Sequence, residues 1–168
     1  APPGSPRNQN PHMHLLEALL ALHAATADRG WLARADAIVD LAHRAFAADG
    51  TLAEHFAEDW SPAPAPEGGW REPGHHFEWV WLLDRYEAQG GAVPVDALAR
   101  RLLAFGLEHG LDRGPGRPVG VLDRVDAAGA VVAPTRRFWP LSEAVRALAV
   151  ADRRWRTPGA RSLAEELL

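Results

Sequence analysis

Cysteine is absent from the 168 residues, which excludes disulfide scaffolds, thiol nucleophiles and zinc ribbons. Lysine is absent too: all 18 basic residues are arginine, and beside the many alanines and glycines this reads as a codon-composition bias without functional content. Acidic residues number 22, and the net charge of −4 comes with no basic stripe to neutralise phosphates. That excludes a dedicated nucleic-acid binder and argues against an anionic membrane surface. No apolar run approaches the roughly 18 residues that cross a bilayer. The start Ala1-Pro2-Pro3-Gly4 has neither the cationic nor the apolar stretch of a secretory leader, so a cytoplasmic protein is expected. It also lacks an initiator, the single methionine being Met13, and the chain reads as a piece of something longer.

What is present is the composition of one globular domain, 47% hydrophobic. Residues 1–9 read as a tail or the end of an upstream loop. From Pro11 to Thr26 the residues Leu15, Leu16, Leu19, Leu20 and Leu22 recur at helical spacing. Asp28 then caps a second helix carrying the stripe Trp31, Ala35, Ile38, Ala42 and Ala45. Residues 49–73 hold Asp49-Gly50, the run Ser61 to Pro66 and Gly68-Gly69, which forbid a long helix; a connection of that length tends to be functional. Helices follow over 74–89 and 94–109. The segments Val119 to Leu122 and Ala130 to Val132, either side of a turn at Asp126 to Gly129, read as a small β-hairpin within an inter-helix loop. A fifth helix is expected from Trp139-Pro140 to Arg153, and a sixth from Pro158 to Leu168.

The helices pair as hairpins over about 11–48, 74–110 and 138–168, and the first helix of each pair tests for a repeat. Glu17, Glu78 and Glu143 superimpose, 61 and 65 residues apart. That period is longer than the roughly 33 to 47 residues of common solenoid repeats. Helical hairpins bury their apolar faces only against neighbours, so the array continues or closes into a ring.

On a helix, residues three and four apart share a face. Asn10, His14 and Glu17 therefore project together, as do His75, Glu78, Trp79 and Leu82, and again Trp139, Ser142 and Glu143. Hairpins stacked in register bring the three clusters to equivalent helix ends, where they line a pocket. Buried carboxylates at matched positions need partners, a ligand or water. His76, about 100° around the helix from His75, is expected at the pocket wall or rim. His23, His43, His55 and His109 read as surface or packing residues, and Trp31 and Trp155 as core. Trp79 and Trp139 are open to two readings, as core or as flat platforms for the apolar face of a sugar ring. Arg71, Arg136 and Arg137 lie near the predicted pocket loops and read as surface arginines.

Three ordered motifs carry a resemblance: Asn10-Pro11-His12-Met13-His14-Leu15-Leu16-Glu17-Ala18, then Pro73-Gly74-His75-His76-Phe77-Glu78-Trp79-Val80-Trp81-Leu82-Leu83, then Phe138-Trp139-Pro140-Leu141-Ser142-Glu143-Ala144. Together they resemble the N-acylglucosamine 2-epimerase superfamily over nearly the whole chain, and within it the aldose–ketose isomerase branch that includes mannose isomerase and sulfoquinovose isomerase relatives. The resemblance implies an all-α fold, with residues 10–168 forming about half of an (α/α)6 barrel. It implies a sugar substrate and no metal or organic cofactor. Chemistry in that superfamily opens the pyranose, removes the C2 proton and passes through a cis-enediol or enediolate. Reprotonation at C1 gives the ketose, and at C2 the epimer.

By the same resemblance His75 is the proton-transfer histidine, with Glu78 holding its tautomer. His14 and Asn10 contact sugar hydroxyls and the ring oxygen, His14 assisting ring opening. Trp139 is a pocket aromatic, and Glu17, Trp79 and Glu143 join the substrate-binding set. The family's second catalytic histidine, from a later helix, and its arginine, from an early one, have no counterpart here. Six hairpins need more than twice this length, so an exposed apolar edge at either side, association through those edges and little turnover by the 168-residue chain alone are expected. Two other readings stay open: a metal site, since two His-x-x-Glu helices resemble the inward Glu/His pairs of di-metal bundles, and a carbohydrate-binding or helical scaffold without catalysis.

Overall fold

The computed structural model describes residues 7–116 and 118–168. In chain order it contains β1 (Arg7–Asn8), α1 (Asn10–Thr26), α2 (Arg29–Leu41), β2 (His55–Phe56), β3 (Trp70–Arg71), α3 (Pro73–Ala88) and α4 (Asp96–His109). There follow β4 (Leu111–Asp112), β5 (Gly120–Val121), β6 (Arg124–Asp126), β7 (Val131–Ala133), α5 (Phe138–Val150) and α6 (Ala160–Glu166). Pro11, Pro73 and Pro140 each sit in the first turn of a helix, where the missing N–H would have had no helical partner. The Asp28 side chain accepts from the Gly30 amide and starts α2 where the sequence places it. Both α2 and α5 run on into a five-residue π-helical turn, Ala42–Phe46 and Ala151–Trp155.

The helices pair antiparallel as three hairpins. α3 packs between α1 and α5, while α2, α4 and α6 lie behind their own partners. That central place explains why α3 is not amphipathic: 11 of its 16 residues are buried. Phe77, Val80 and Leu83 meet Met13, Leu16 and Leu20 of α1, and Ala144, Ala147 and Leu148 of α5, in one core. Gly106 of α4 lets α3 approach closely, for a methyl group there would stand 2.7 Å from the Phe77 ring.

Three expectations are corrected. The segment Val119 to Leu122 does not pair with Ala130 to Val132: β5 pairs with β4, and the hairpin is β6 with β7. The reason is the turn, where Asp126 Oδ1 accepts from the Ala128 and Ala130 amides and so makes the strand immediately before it the partner. The expected tail falls partly outside the described residues, but Arg7 and Asn8 lie opposite Phe56 and His55 in an antiparallel pair. The sixth helix begins only at Ala160, because Gly159 is left-handed, with φ of 77°. Among the described residues no helix is long and apolar enough to cross a membrane.

Candidate active site

The N-terminal ends of α1, α3 and α5 face one cavity of about 580 Å³, closed at its sides by the connection before α3 and by the β6–β7 hairpin. Asn10 and His14 enter it from α1, His75 and Glu78 from α3, Trp139 and Glu143 from α5. Ligand pockets for small molecules typically measure about 300–1,000 Å³. Six of the eight residues selected from the sequence line the cavity. Glu17 stands at its margin, its carboxylate 3.7 Å from His14 Nδ1.

His75 is held at both ring nitrogens. Nδ1 lies 2.9 Å from Glu54 Oε2, an oxygen that only accepts when ionised, so Nδ1 carries the proton. Nε2 accepts from Asn10 Nδ2 at 3.0 Å. The Trp139 ring packs beside the imidazole, 5.1 Å between centroids. Trp139 reaches that position because residue 74 is glycine: a methyl group there would stand 2.6 Å from the indole. Desolvation works against the charged imidazole, but the Glu54 carboxylate, aided by Glu72 and Glu78, outweighs it and raises the His75 pKa above 6.5.

Glu54 was not selected from the sequence, nor were Asn8, His55, Glu72 and Arg124, all of which line the cavity. The connection over 49–73 delivers Glu54, His55 and Glu72 to the cavity wall. Its path is set by two long-range anchors. Buried Arg71 donates to Asp49 and Thr51, and His76 Nε2 accepts from the Leu52 amide. The residual signal for Glu54 in the sequence is an acid amid Leu52, Ala53 and Phe56. His55, read from the sequence as a surface or packing residue, packs edge-on against Trp70 at the cavity wall.

Three further readings are corrected. Trp79 is fully buried against Phe46, with Nε1 donating to Gln9 Oε1 at 2.9 Å, so it is no sugar platform. It shares a helix face with His75 but lies about 6 Å deeper along the axis, below the cavity floor. His76 is fully buried rather than at the rim, and desolvation drops its pKa to about 4, so it stays neutral. Glu78 does not hold the His75 tautomer, because Glu54 occupies Nδ1. Arg137 reaches the cavity wall, donating to Asp123 and Glu72, while Arg124 donates to the other oxygen of Glu72.

Glu78 instead lies 3.8 Å from His14 Nδ1 and is nearly buried. Burial, then the neighbouring Glu143 charge, pushes its pKa up to about 7, against the opposing pull of His75 and His14. The folded chain therefore binds the proton more tightly than the unfolded chain, where 4.5 applies. The sign follows: the contribution of Glu78 to stability is fully present below pH 4.5 and is lost as pH rises through 7. Glu78→Gln is expected to raise stability at pH 8 by on the order of 2–3 kcal/mol, a gain that shrinks toward pH 4. Urea denaturation at both pH values measures this, and no gain at pH 8 rules out an unfavourably buried carboxylate. Among the described residues, His14, Glu17 and Glu78 also form a group whose ligand atoms lie within 4.8 Å of one another, as metal ligation would require.

An arc of helical hairpins with a polar cavity at the inner-helix ends defines a class, the (α/α)6 barrels. The crystal structure of D-mannose isomerase superposes with a TM-score of 0.82 at 23% identity, over 96% of this chain and 42% of that one. Cellobiose 2-epimerase from Spirochaeta thermophila DSM 6192 gives 0.81 at 22%, over 99% and 41%. The chain thus covers about two fifths of the length of those structures.

The profile of the N-acylglucosamine 2-epimerase (GlcNAc 2-epimerase) family matches residues 1–166, and the chain belongs to that family. It is 42% identical over 150 residues to the protein named mannose-6-phosphate isomerase of Rhizobium meliloti (strain 1021), covering 87% of this chain and 38% of that one. It is 36% identical over 160 residues to D-mannose isomerase of Pseudomonas cannabina pv. alisalensis, with coverage of 85% and 38%. The chain spans about two fifths of the length of these curated relatives.

Proposed function

We propose that the protein containing this chain is an aldose–ketose isomerase acting at C1 and C2 of an unphosphorylated hexose, of the mannose–fructose type. The observation that carries the reading is the histidine at the cavity wall: His75, its Nδ1–H fixed on a buried carboxylate, turns Nε2 toward the groups of α1 and α5. With a pKa above 6.5 it can take and return a proton near neutrality. Nε2 takes the C2 proton of the open-chain sugar, the C2–H electron pair forms the C1–C2 double bond, and the carbonyl pair moves to O1. Transfer of the O2 proton to O1, re-formation of the carbonyl at C2 and return of the C2 proton to C1 give the ketose. The Asn10 amide gives up Nε2 as the sugar arrives and is then free to donate to a hydroxyl. Glu78 and His14, 3.8 Å apart, both line the cavity, and Glu78, with its pKa at about 7, can give or take the proton that ring opening requires. Return of the proton to C2 from the opposite face would make the enzyme a 2-epimerase, the outcome named in the cellobiose 2-epimerase neighbour.

The test is mass spectrometry of mannose incubated with the intact protein in D2O. Fructose, with or without deuterium at C2, supports isomerisation, deuterium with glucose supports epimerisation, and the absence of deuterium and of either product overturns both. The His14, Glu17 and Glu78 group favours a second reading, a divalent-metal enzyme. Stoichiometric bound metal and exchange abolished by a chelator would establish it in place of the first.

The charges point to a neutral substrate. Glu54, Glu72, Glu78 and Glu143 line the cavity, and its two arginines are paired with Glu72, Arg137 also with Asp123. A phosphate dianion would meet more carboxylates than uncommitted cations. The expected kcat/KM for mannose is therefore about tenfold or more above that for mannose 6-phosphate. A preference for the phosphorylated sugar would contradict this electrostatic argument.

A further inference from the structure

Behind His75 lies a chain of buried groups, of which Gln9 and Glu54 lie outside the three family motifs. Gln9 and Glu54 are both almost wholly buried. Gln9 Nε2 donates to Glu54 Oε2 at 3.0 Å, the same oxygen that receives His75 Nδ1–H. The backbone joins them again, the Gln9 amide donating to the Glu54 carbonyl at 3.2 Å. On its other side Gln9 Oε1 accepts the indole N–H of Trp79, which orients the amide and decides which end faces Glu54. Glu54 Oε1 is buried without a partner among the described residues. The carboxylate is thus committed through a single oxygen to Gln9 and His75, and nothing else competes for it.

We propose that Glu54 is the positioning residue of this site, a buried carboxylate that fixes the His75 tautomer and strengthens His75 as a base, itself braced by Gln9 and Trp79. The inference rests on the isomerase reading for its catalytic consequence, though not for its geometry. Trp79 thereby gains a role that its burial alone would not give: its N–H dictates the amide orientation at Gln9, and Gln9 aims Glu54. His76 and Arg71 serve the same end by holding the connection from which Glu54 projects. Desolvation raises the Glu54 pKa, but His75 and the hydrogen bonds from His75 and Gln9 overcome it, leaving the carboxylate below its usual range and ionised.

Other charged groups face His75 and must be separated from Glu54. Glu72 lies 3.9 Å from Nδ1 but is paired with Arg124 and Arg137. Glu78 and neutral His76 are on the same helix, His14 is on α1, and Glu143 is on α5. Glu54 alone makes a hydrogen bond to Nδ1.

The experiment is NMR of the imidazole nitrogens in the intact protein labelled with 15N-histidine, titrated without sugar. In the parent protein His75 should appear as the Nδ1–H tautomer when neutral. Glu54→Gln should lower its pKa by about one unit or more, since one charge-assisted hydrogen bond is lost, with Glu72→Gln producing a smaller shift. Trp79→Phe keeps an aromatic ring but removes the N–H, so it should populate the second tautomer even if Glu54→Gln fails to fold. An unchanged His75 titration in Glu54→Gln, or an unchanged tautomer in Trp79→Phe, overturns the proposal. In the D2O assay Glu54→Gln should cut kcat about 10- to 100-fold with KM nearly unchanged, and move the acidic limb of the pH profile downward. If the NMR shifts appear and the parent protein exchanges no C2 proton, the isomerase reading falls and the hold of Glu54 on His75 stands.

Discussion

His75→Ala in the intact protein is expected to reduce deuterium uptake at C2 of mannose by about 10²- to 10⁴-fold, the span that removal of a positioned general acid–base costs. The loss should fall on kcat more than on KM. The other cavity residues from α1 and α5 remain to hold the sugar, while the nitrogen that takes the proton is gone. His14 cannot substitute: it stands on a neighbouring helix, and its Nδ1 lies 3.7 Å from Glu17 and 3.8 Å from Glu78, too far for the hydrogen bond that would set its tautomer. Glu54 would then be left with one neutral donor, Gln9, so circular dichroism and a melting curve should accompany the assay. Uptake within about threefold of the parent rate would remove His75 from the chemistry, since even a minor acid–base contribution exceeds that.

The second large effect concerns stability. Trp79→Ala is expected to destabilise the fold by about 3–5 kcal/mol, read as a lowered urea midpoint, because it empties a fully buried indole site that cannot collapse between Phe46 and the connection holding Gln9. The same substitution leaves Gln9 Oε1 without its donor, a further cost of about 1 kcal/mol or more. Had Trp79 been a sugar platform, the change would raise KM with little loss of stability. Trp139→Ala should show that other pattern, for Trp139 is only partly buried and lies on the cavity wall.

How far these residues could be read in advance depended on how local their interactions are. His75 and Glu78 share a cavity because residues three apart on one helix must point alike. The same rule grouped Asn10 with His14. It failed at Trp79, since angular position around a helix says nothing about depth along it, and the cavity floor falls within the second turn of α3, between Glu78, which lines the cavity, and Trp79, which lies beneath it. The β-hairpin was misregistered for a related reason. Its apolar segments were recognised by composition, whereas Asp126 and its turn selected Arg124–Asp126 as the partner of β7. Glu54 lies in a stretch without periodicity, and its distance from His75 is set by Arg71 and His76, residues about 20 positions away in the chain.

Helix order, the limits of all but the sixth helix, the pairing of the helices and the family follow from the amino-acid order, because apolar spacing, first-turn prolines and the three motifs act within one or two helical turns. The partners of each buried polar group follow only from the folded chain. Glu54, Gln9 and Trp79 come together because α1 and α3 pack side by side and the 49–73 connection is anchored back upon them. Hydrogen bonds among such groups depend on ångström-scale placement that no spacing rule encodes.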